Sequence, residues 1–320
     1  MTRPPDDILV LVFTRLEDRH LAQLQAVDPR VRAVRVTDVQ QARDLIPQAA
    51  VMVGWSIPED VLGRAPRLRW VHSSGAGVER LLVSPIIDGD VILTDSSGIH
   101  RAMVEHVFGV ILAFARRLHI AVRLQLAHRW DHAAVAGEEL RGKTLGILGL
   151  GAIGRDLARA AAVFEMRVIG TKRQPAPVPG VERVYSPERL RDVLRESDYV
   201  VVALPLTPAT RGLIGEGEFA AMKPSAVFVN IGRGAIVDEA ALLAALGGGR
   251  IAGAALDVFV HEPLPADSPL YDMPNVIVTP HVAGSTPVYF DRVTALVAEN
   301  LRRFLDGRSL LNVVDKEMGY

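Results

Sequence analysis

The stretch KTLGILGLGAIGRDLARAA (143–161) decides the fold. Its first seven residues form a short apolar run bounded by glycine, as buried strands do, and AIGRDLARAAAVF (152–164) has helical character. Between them GLGAIG (149–154) matches G-x-G-x-x-G. The match is weak alone, but a strand before it and a helix after it are the context it requires. Gly149 permits the tight turn, Gly151 lets the backbone approach a pyrophosphate, and Gly154 lets helix pack close on strand. Ala152 and Ile153 open the helix, whose N-terminus offers N–H groups and a positive dipole end to phosphates. A tight glycine turn with no ligand is the plainer alternative.

The same strand–helix alternation runs outward in both directions. Downstream, strands are expected at MRVIGT (166–171), DYVVVAL (198–204), AVFVNIG (226–232), IAGAALDVF (251–259) and NVIVT (275–279), with helices near 187–196, 216–222 and 238–247. Upstream, ILVLVF (8–13), VRAVRV (31–36), AVMVGW (50–55), RWVH (69–72) and VILT (91–94) alternate with LEDRHLAQLQ (16–25) and DVQQARDLI (38–46). A single long helical segment is expected over 101–128, and a last helix over 287–306. This rhythm implies an α/β protein of two doubly wound parallel-sheet domains, Rossmann-like or flavodoxin-like. At roughly 150 residues per domain, a chain of 320 fits two. Periodicity leaves open whether the last helix caps the second unit or returns to the first.

Composition narrows the function classes. A formal net charge of −1 gives no global field for nucleic acid or an anionic membrane. There is no cysteine, which removes disulfides, thiolate metal sites and cysteine nucleophiles. MTRPPDDILVLVF (1–13) lacks the basic start and cleavage site of a signal peptide, and no apolar run reaches the roughly 18 residues that span a bilayer. A cytoplasmic protein is the default expectation.

The strand after the glycine loop ends VIGTKRQP (168–175). An acid there would accept hydrogen bonds from the adenosine ribose 2′-OH, the signature of NAD. Lys172 and Arg173 stand instead, 18 and 19 residues past Gly154, and no acid occurs at 170–174. Two cations suit the 2′-phosphate of NADP, which the usual acid would repel. The expectation is NADP(H) preferred and NAD(H) possible; a solvated pair of loop cations is the alternative.

From Gly149 onward the chain closely resembles the D-isomer specific 2-hydroxyacid dehydrogenase family. The stretches that carry the likeness are GKTLGILGLGAIG, ALPLTPATRGLI (203–214), FVNIGRGAIVDEAAL (228–242), GAALDVFVHEPLP (253–265) and NVIVTPHVAGST (275–286). WVHSSGAGVERLL (70–82) is a looser match to the family's substrate-side loop. The resemblance implies a substrate-binding domain of residues 1–99 plus 287–320, an NAD(P)-binding domain of 100–286, and an active site in the cleft between them. It further implies a homodimer paired through the nucleotide-binding domain. The apolar run MVEHVFGVILAF (103–114) suits that contact or an internal core.

Reduction of a 2-oxo acid needs a cation for the carboxylate, a proton donor for the carbonyl oxygen and a hydride source. Arg233 follows the strand FVNIG, and its guanidinium could grip a carboxylate with two parallel bonds, with Gly232 and Gly234 letting the backbone come close. His281 follows NVIVTP, and an imidazole can give and retake one proton near neutrality. The resemblance singles His281 out of nine histidines, and implies Glu262 as its carboxylate partner. It implies further that Asp257 contacts the nicotinamide carboxamide and that Leu204, Pro205, Ile231, Gly232, His281 and Gly284 line the cofactor. By the same resemblance, backbone amides of Ser74, Gly75, Ala76 and Gly77 bind the substrate carboxylate. No metal site is expected: His128 and His132 are spaced i, i+4, but no third ligand follows in a recognisable motif. His106 is expected to pack or hydrogen-bond, His261 to point away, and Trp55 and Trp130 to be core rather than site.

The family implies NAD(P)H-dependent reduction of glyoxylate, hydroxypyruvate or a similar acid to the D-2-hydroxy acid. Glu262 stands where formate dehydrogenases of the family carry glutamine. The tail DGRSLLNVVDKEMGY (306–320) is shorter than the regulatory domain that phosphoglycerate dehydrogenases often add. A phosphoglycerate enzyme and a non-enzymatic, NAD(H)-sensing corepressor-like protein remain the alternatives.

Overall fold

The computed structural model describes residues 7–320; residues 1–6, on which part of the reading of the N-terminus rests, lie outside them. Contacts divide the chain into two compact units. One comprises the described residues through Ile99 together with Thr286–Tyr320, and the other is His100–Ser285.

In the first unit, β1 (Ile8–Val12), α1 (Asp18–Gln25), β2 (Val31–Arg35), α2 (Val39–Leu45), β3 (Ala49–Gly54), α3 (Glu59–Leu62), β4 (Trp70–Ser73), α4 (Ser84–Ile87) and β5 (Ile92–Thr94) alternate. Among the described residues they build one five-stranded parallel sheet of order β2-β1-β3-β4-β5, the flavodoxin-like arrangement. Every residue of β1 and β3 is buried, as expected of central parallel strands covered on both faces.

The second unit begins with α5 (Arg101–Ala115) and α6 (Leu118–Leu126). It continues β6 (Thr144–Leu148), α7 (Ala152–Ala161), β7 (Arg167–Thr171), β8 (Arg183–Tyr185), α8 (Leu190–Glu196), β9 (Tyr199–Val202), α9 (Glu216–Ala221), β10 (Val227–Asn230), α10 (Glu239–Gly247), β11 (Gly253–Leu256) and β12 (Val276–Val278). Its seven-stranded sheet runs β12-β11-β10-β9-β6-β7-β8. This is the Rossmann order with one further strand, and it reverses direction between β6 and β9, where such sheets take ligands. The expected doubly wound α/β architecture is therefore present in both units.

The last helix, α11 (Tyr289–Leu305), belongs to the first unit. Val293, Val297, Leu301 and Phe304 recur every three to four residues and share a buried cluster with Ile8, Val10, Val31 and Trp70. The tail then pairs with β5, the Val314 amide donating to the Leu93 carbonyl at 2.8 Å.

One expectation needs correction, the run 103–114 meets its core alternative, and three short elements are new. The helical segment of 101–128 is two helices, because Arg117 adopts φ +52° and the Glu138 amide takes the Ala115 carbonyl at 2.8 Å. Val107, Phe108, Val110 and Ile111 of the run 103–114 are buried in the second unit's own core. Within 101–128 the exposed large apolar side chains lie on α6, at Leu118, Val122 and Leu126. The edge strand β8 and the one-turn helices α3 and α4 are too short to show a period and were not expected. Among the described residues, no helix is long and apolar enough to cross a membrane.

Candidate active site

At the start of α7 the glycine loop has the build its sequence requires. Gly149 sits at φ +104°, and a Cβ on Gly154 would run into the Gly149 carbonyl oxygen. Gly151 is different: a Cβ there would meet nothing within 4 Å. No side chain caps α7, which leaves its first-turn N–H groups, including those of Ala152 and Ile153, for a phosphate. These residues therefore fit a dinucleotide. Thr171, at the end of β7, fixes the loop from the side. Its hydroxyl accepts the Gly149 N–H at 3.2 Å and its carbonyl the Leu150 N–H at 2.9 Å. Lys172 and Arg173 follow directly, the first half-buried and the second exposed. They extend a strand that bonds the phosphate loop itself.

Leu204 and Gly232 adjoin this loop. A Cβ on Gly149 would meet the Leu204 side chain at 3.1 Å, and one on Gly232 would meet the Leu204 carbonyl oxygen at 2.9 Å. Pro205 is tied by its carbonyl to the Thr210 hydroxyl at 2.6 Å, and the buried Ile231 continues β10 by donating its amide to the Val202 carbonyl at 3.2 Å.

Arg233 stands one turn past β10, half-buried, with Nη1 donating to the Gly232 carbonyl at 2.8 Å. The buried Asn230 clamps its backbone. Asn230 Nδ2 donates to the Arg233 carbonyl at 3.2 Å, and its Oδ1 accepts the Gly232 N–H at 3.0 Å. Sequence reasoning missed Asn230, although a polar residue closing an apolar strand beside an arginine was a readable signal. His100, before α5, was missed too. Burial first, then the Arg233 charge, push its pKa down to about 4, so an uncharged imidazole lies within the guanidinium's field.

His281 and Glu262 meet as expected, Nδ1 lying 2.7 Å from Glu262 Oε2. The other carboxylate oxygen accepts the Phe259 N–H at 3.0 Å, so Glu262 is itself held in place. A carboxylate at Nδ1 fixes the orientation of the ring. His281 takes φ +54°, a left-handed backbone that a side-chain-bearing residue enters at a cost of about 1 kcal/mol. Its surroundings enforce this. The His281 amide donates to the Asp257 carbonyl at 2.9 Å, and the Asp257 carboxylate accepts the Val282 and Ala283 amides, each at 2.9 Å, and the Thr279 hydroxyl at 2.6 Å. Asp257 thus organises the segment that carries His281 and Gly284, a role the sequence did not suggest. His106 hydrogen-bonds, as expected, through Nε2 to the Thr279 hydroxyl at 3.3 Å.

In the first unit, Ser74, Gly75, Ala76 and Gly77 form a loop directly after β4. The Ser74 amide already bonds the Gly54 carbonyl at 3.2 Å and the Gly75 amide the Ser73 hydroxyl at 3.3 Å, so these two are spent inside the unit. That corrects the expectation of four available amides. Trp55 packs its ring on Gly75. Trp130 is not core: it is 99% exposed. His128 lies past the end of α6 at φ +51°, so it and His132 do not share a helix face, and no metal-binding cluster exists among the described residues.

Comparison with known proteins bears on all of this. Residues 108–283 match the family model for the D-isomer specific 2-hydroxyacid dehydrogenase, NAD binding domain. The chain is 41% identical over 271 residues to the glyoxylate reductase of Aeropyrum pernix, which spans 81% of this chain and 80% of that protein. It is 34% identical over 318 residues to the D-3-phosphoglycerate dehydrogenase of Methanocaldococcus jannaschii, covering 96% of this chain but 59% of that longer protein. Among solved structures, the NADPH-dependent glyoxylate/hydroxypyruvate reductase of Sinorhizobium meliloti, in complex with NADP and sulfate, superposes with a TM-score of 0.87 at 34% identity, over 98% of this chain and 100% of that one. Sequence, topology and these likenesses converge: the chain belongs to the D-isomer specific 2-hydroxyacid dehydrogenase family, oxidoreductases that act on a CH–OH group with a nicotinamide cofactor.

Proposed function

We propose that this enzyme reduces a small 2-oxo acid of the glyoxylate and hydroxypyruvate type to the D-2-hydroxy acid, with NADPH preferred over NADH. The observation that carries the reading is the His281–Glu262 pair at 2.7 Å, a proton donor oriented by its own carboxylate. Arg233 grips the substrate carboxylate through two parallel N–H···O bonds and draws electron density from the adjacent carbonyl. Nε2, the ring nitrogen turned away from Glu262, gives its proton to the carbonyl oxygen as the carbon is reduced. The nicotinamide, when bound, supplies the hydride. Glu262 holds the ring in place and, once the proton has left Nε2, keeps it in the tautomer that can be reprotonated there.

Gly149, Gly151, Ala152, Ile153 and Gly154 hold the pyrophosphate, and Lys172 and Arg173 meet the 2′-phosphate. Leu204, Pro205, Ile231, Gly232 and Gly284 line the cofactor, and the fourth lone pair of the Asp257 carboxylate receives the nicotinamide carboxamide. The second unit is the nucleotide-binding domain. The first binds substrate, through loop amides near Ala76. Two copies pair through α6, whose Leu118, Val122 and Leu126 expose one apolar stripe at i, i+4, i+8. A cytoplasmic location is part of this reading, since the reduced dinucleotide is a soluble co-substrate.

The likeness to phosphoglycerate dehydrogenases supports a second reading, with 3-phosphohydroxypyruvate as the acid reduced. Glyoxylate, hydroxypyruvate and 3-phosphohydroxypyruvate, each with NADPH and with NADH, separate the two by loss of reduced-nicotinamide absorbance. Fastest turnover of glyoxylate or hydroxypyruvate with NADPH is expected. Turnover of the phosphorylated acid alone selects the second reading, and no turnover of any 2-oxo acid overturns both.

A further inference from the structure

Beneath the loop 73–77 lies a buried polar chain that the reaction above does not use. Trp70 Nε1 is 2.8 Å from Thr94 Oγ1, which is 2.8 Å from His72 Nδ1. His72 Nε2 is 3.0 Å from Ser96 Oγ, which is 2.9 Å from the Ser73 carbonyl. Trp70, His72, Thr94 and Ser96 are all buried, so each polar atom depends on these partners.

Counting protons gives the chain a direction. The Ser73 carbonyl can only accept, so the single Ser96 hydroxyl proton goes there. Ser96 Oγ must then accept from His72 Nε2–H. Burial pushes the His72 pKa down to about 3, which keeps the ring neutral and makes Nδ1 an acceptor. The Thr94 hydroxyl donates to it, and Thr94 Oγ1 accepts the indole N–H. The order is Trp70 to Thr94 to His72 to Ser96 to Ser73, with no bond reversible without stranding a group. Mutual polarisation stiffens such a chain.

Its end point is the loop. Ser96 holds the loop twice, by its hydroxyl on the Ser73 carbonyl and by its amide on the Gly75 carbonyl at 3.0 Å. The Tyr289 hydroxyl takes the Ser74 carbonyl at 2.6 Å and the Ser73 hydroxyl the Gly77 carbonyl at 2.7 Å. Carbonyls 73, 74, 75 and 77 are all committed inward. In a trans peptide the N–H points opposite to the preceding C=O, so capture of the Gly75 carbonyl turns the Ala76 N–H to the other side.

We infer that Ser96, aligned by the Trp70–Thr94–His72 chain and assisted by Tyr289, is the positioning residue that presents the Ala76 amide to the substrate carboxylate. This rests on the reading that the loop binds substrate.

Four variants test it. Ser96→Ala removes one loop bond, Tyr289→Phe another, and Thr94→Val cuts the chain two residues away with no change of shape, while Thr94→Ser keeps the hydroxyl. Loss of one such bond is expected to raise the KM for glyoxylate about fivefold in Ser96→Ala, Tyr289→Phe and Thr94→Val. The kcat and the NADPH KM should stay within about twofold, and Thr94→Ser should stay near wild type. An unchanged glyoxylate KM overturns the inference, as does a fall in kcat with a rise in both KM values, which would mean a general loss of structure. Wild-type turnover tests the substrate reading separately. If it is absent, hydrogen exchange of the segment 74–78 still decides: faster exchange in Ser96→Ala and Thr94→Val but not in Thr94→Ser supports the positioning role, and equal exchange in all sinks it.

Discussion

At the residue scale, the proposed proton donor His281 rests on Glu262, whose carboxylate lies 2.7 Å from its Nδ1. Arg233, Glu262 and His281 were legible because their neighbours match a family pattern. Asn230 emerged from the structure, and Asp257, named from the sequence for the nicotinamide, also holds backbone: their buried side chains set the chain around Arg233 and His281. Removing the His281 partner should therefore act on the proton. Glu262→Gln is expected to lower kcat by about 10² while leaving the NADPH KM near wild type, since general acid–base assistance is typically worth that much; an unchanged kcat would remove Glu262 from the mechanism. The cofactor preference is a matter for two other side chains. Each charge-assisted bond from Lys172 or Arg173 to a 2′-phosphate contributes roughly 1.5–3 kcal/mol, about tenfold or more in preference. Lys172→Asp with Arg173→Ala should raise the NADPH KM far more than the NADH KM, and equal changes in the two would exclude these residues from the choice.

At the scale of elements, period and punctuation read well wherever a strand or helix buries a continuous face. The all-buried β1, β3 and β6 are apolar runs, and α11 carries its core side chains at helical spacing. Where tertiary contacts overrode local pattern the sequence was silent. The chain breaks at Arg117 because Glu138, from a distant segment, occupies the last carbonyl of α5, and apolar periodicity contains nothing of that bond. The break separates a buried helix from α6, which exposes Leu118, Val122 and Leu126, the last at 77%. If this stripe pairs two copies, Leu118→Asp with Leu126→Asp should turn a dimer into a monomer by light scattering with the cofactor-binding constant little changed. A wild-type monomer, or an unaffected dimer, would place the stripe outside any pairing surface.

At the scale of the whole molecule, stability should carry the mark of its buried histidines. Burial lowers the folded-state pKa of His72 to about 3 and of His100 to about 4, against 6.5 for an exposed ring. Below pH 6.5 the unfolded chain binds protons that the folded chain excludes, so this stability is complete above about pH 6.5 and is lost as pH falls toward 4. Each ring contributes a slope of up to ~1.4 kcal/mol per pH unit in that window. The unfolding midpoint is expected to be flat above neutrality and to fall between pH 6.5 and 5, less steeply in His72→Phe; an identical slope in that variant would rule His72 out as a source. By itself the sequence determined the two doubly wound units, the dinucleotide loop and the family. Those follow from apolar period and from glycines at fixed spacing, which are local properties of the chain. Only the tertiary structure decided where α5 ends, which loop amides are already spent, and how Thr171, Asn230, Asp257 and the His72 chain fix the loops around the candidate site. Apart from the short-range bonds of Asn230 and of the Gly75 amide, each of these is a hydrogen bond or a packing contact between residues far apart in the chain. Such partners share no period and no motif until folding brings them within about 3 Å, the reach of a hydrogen bond.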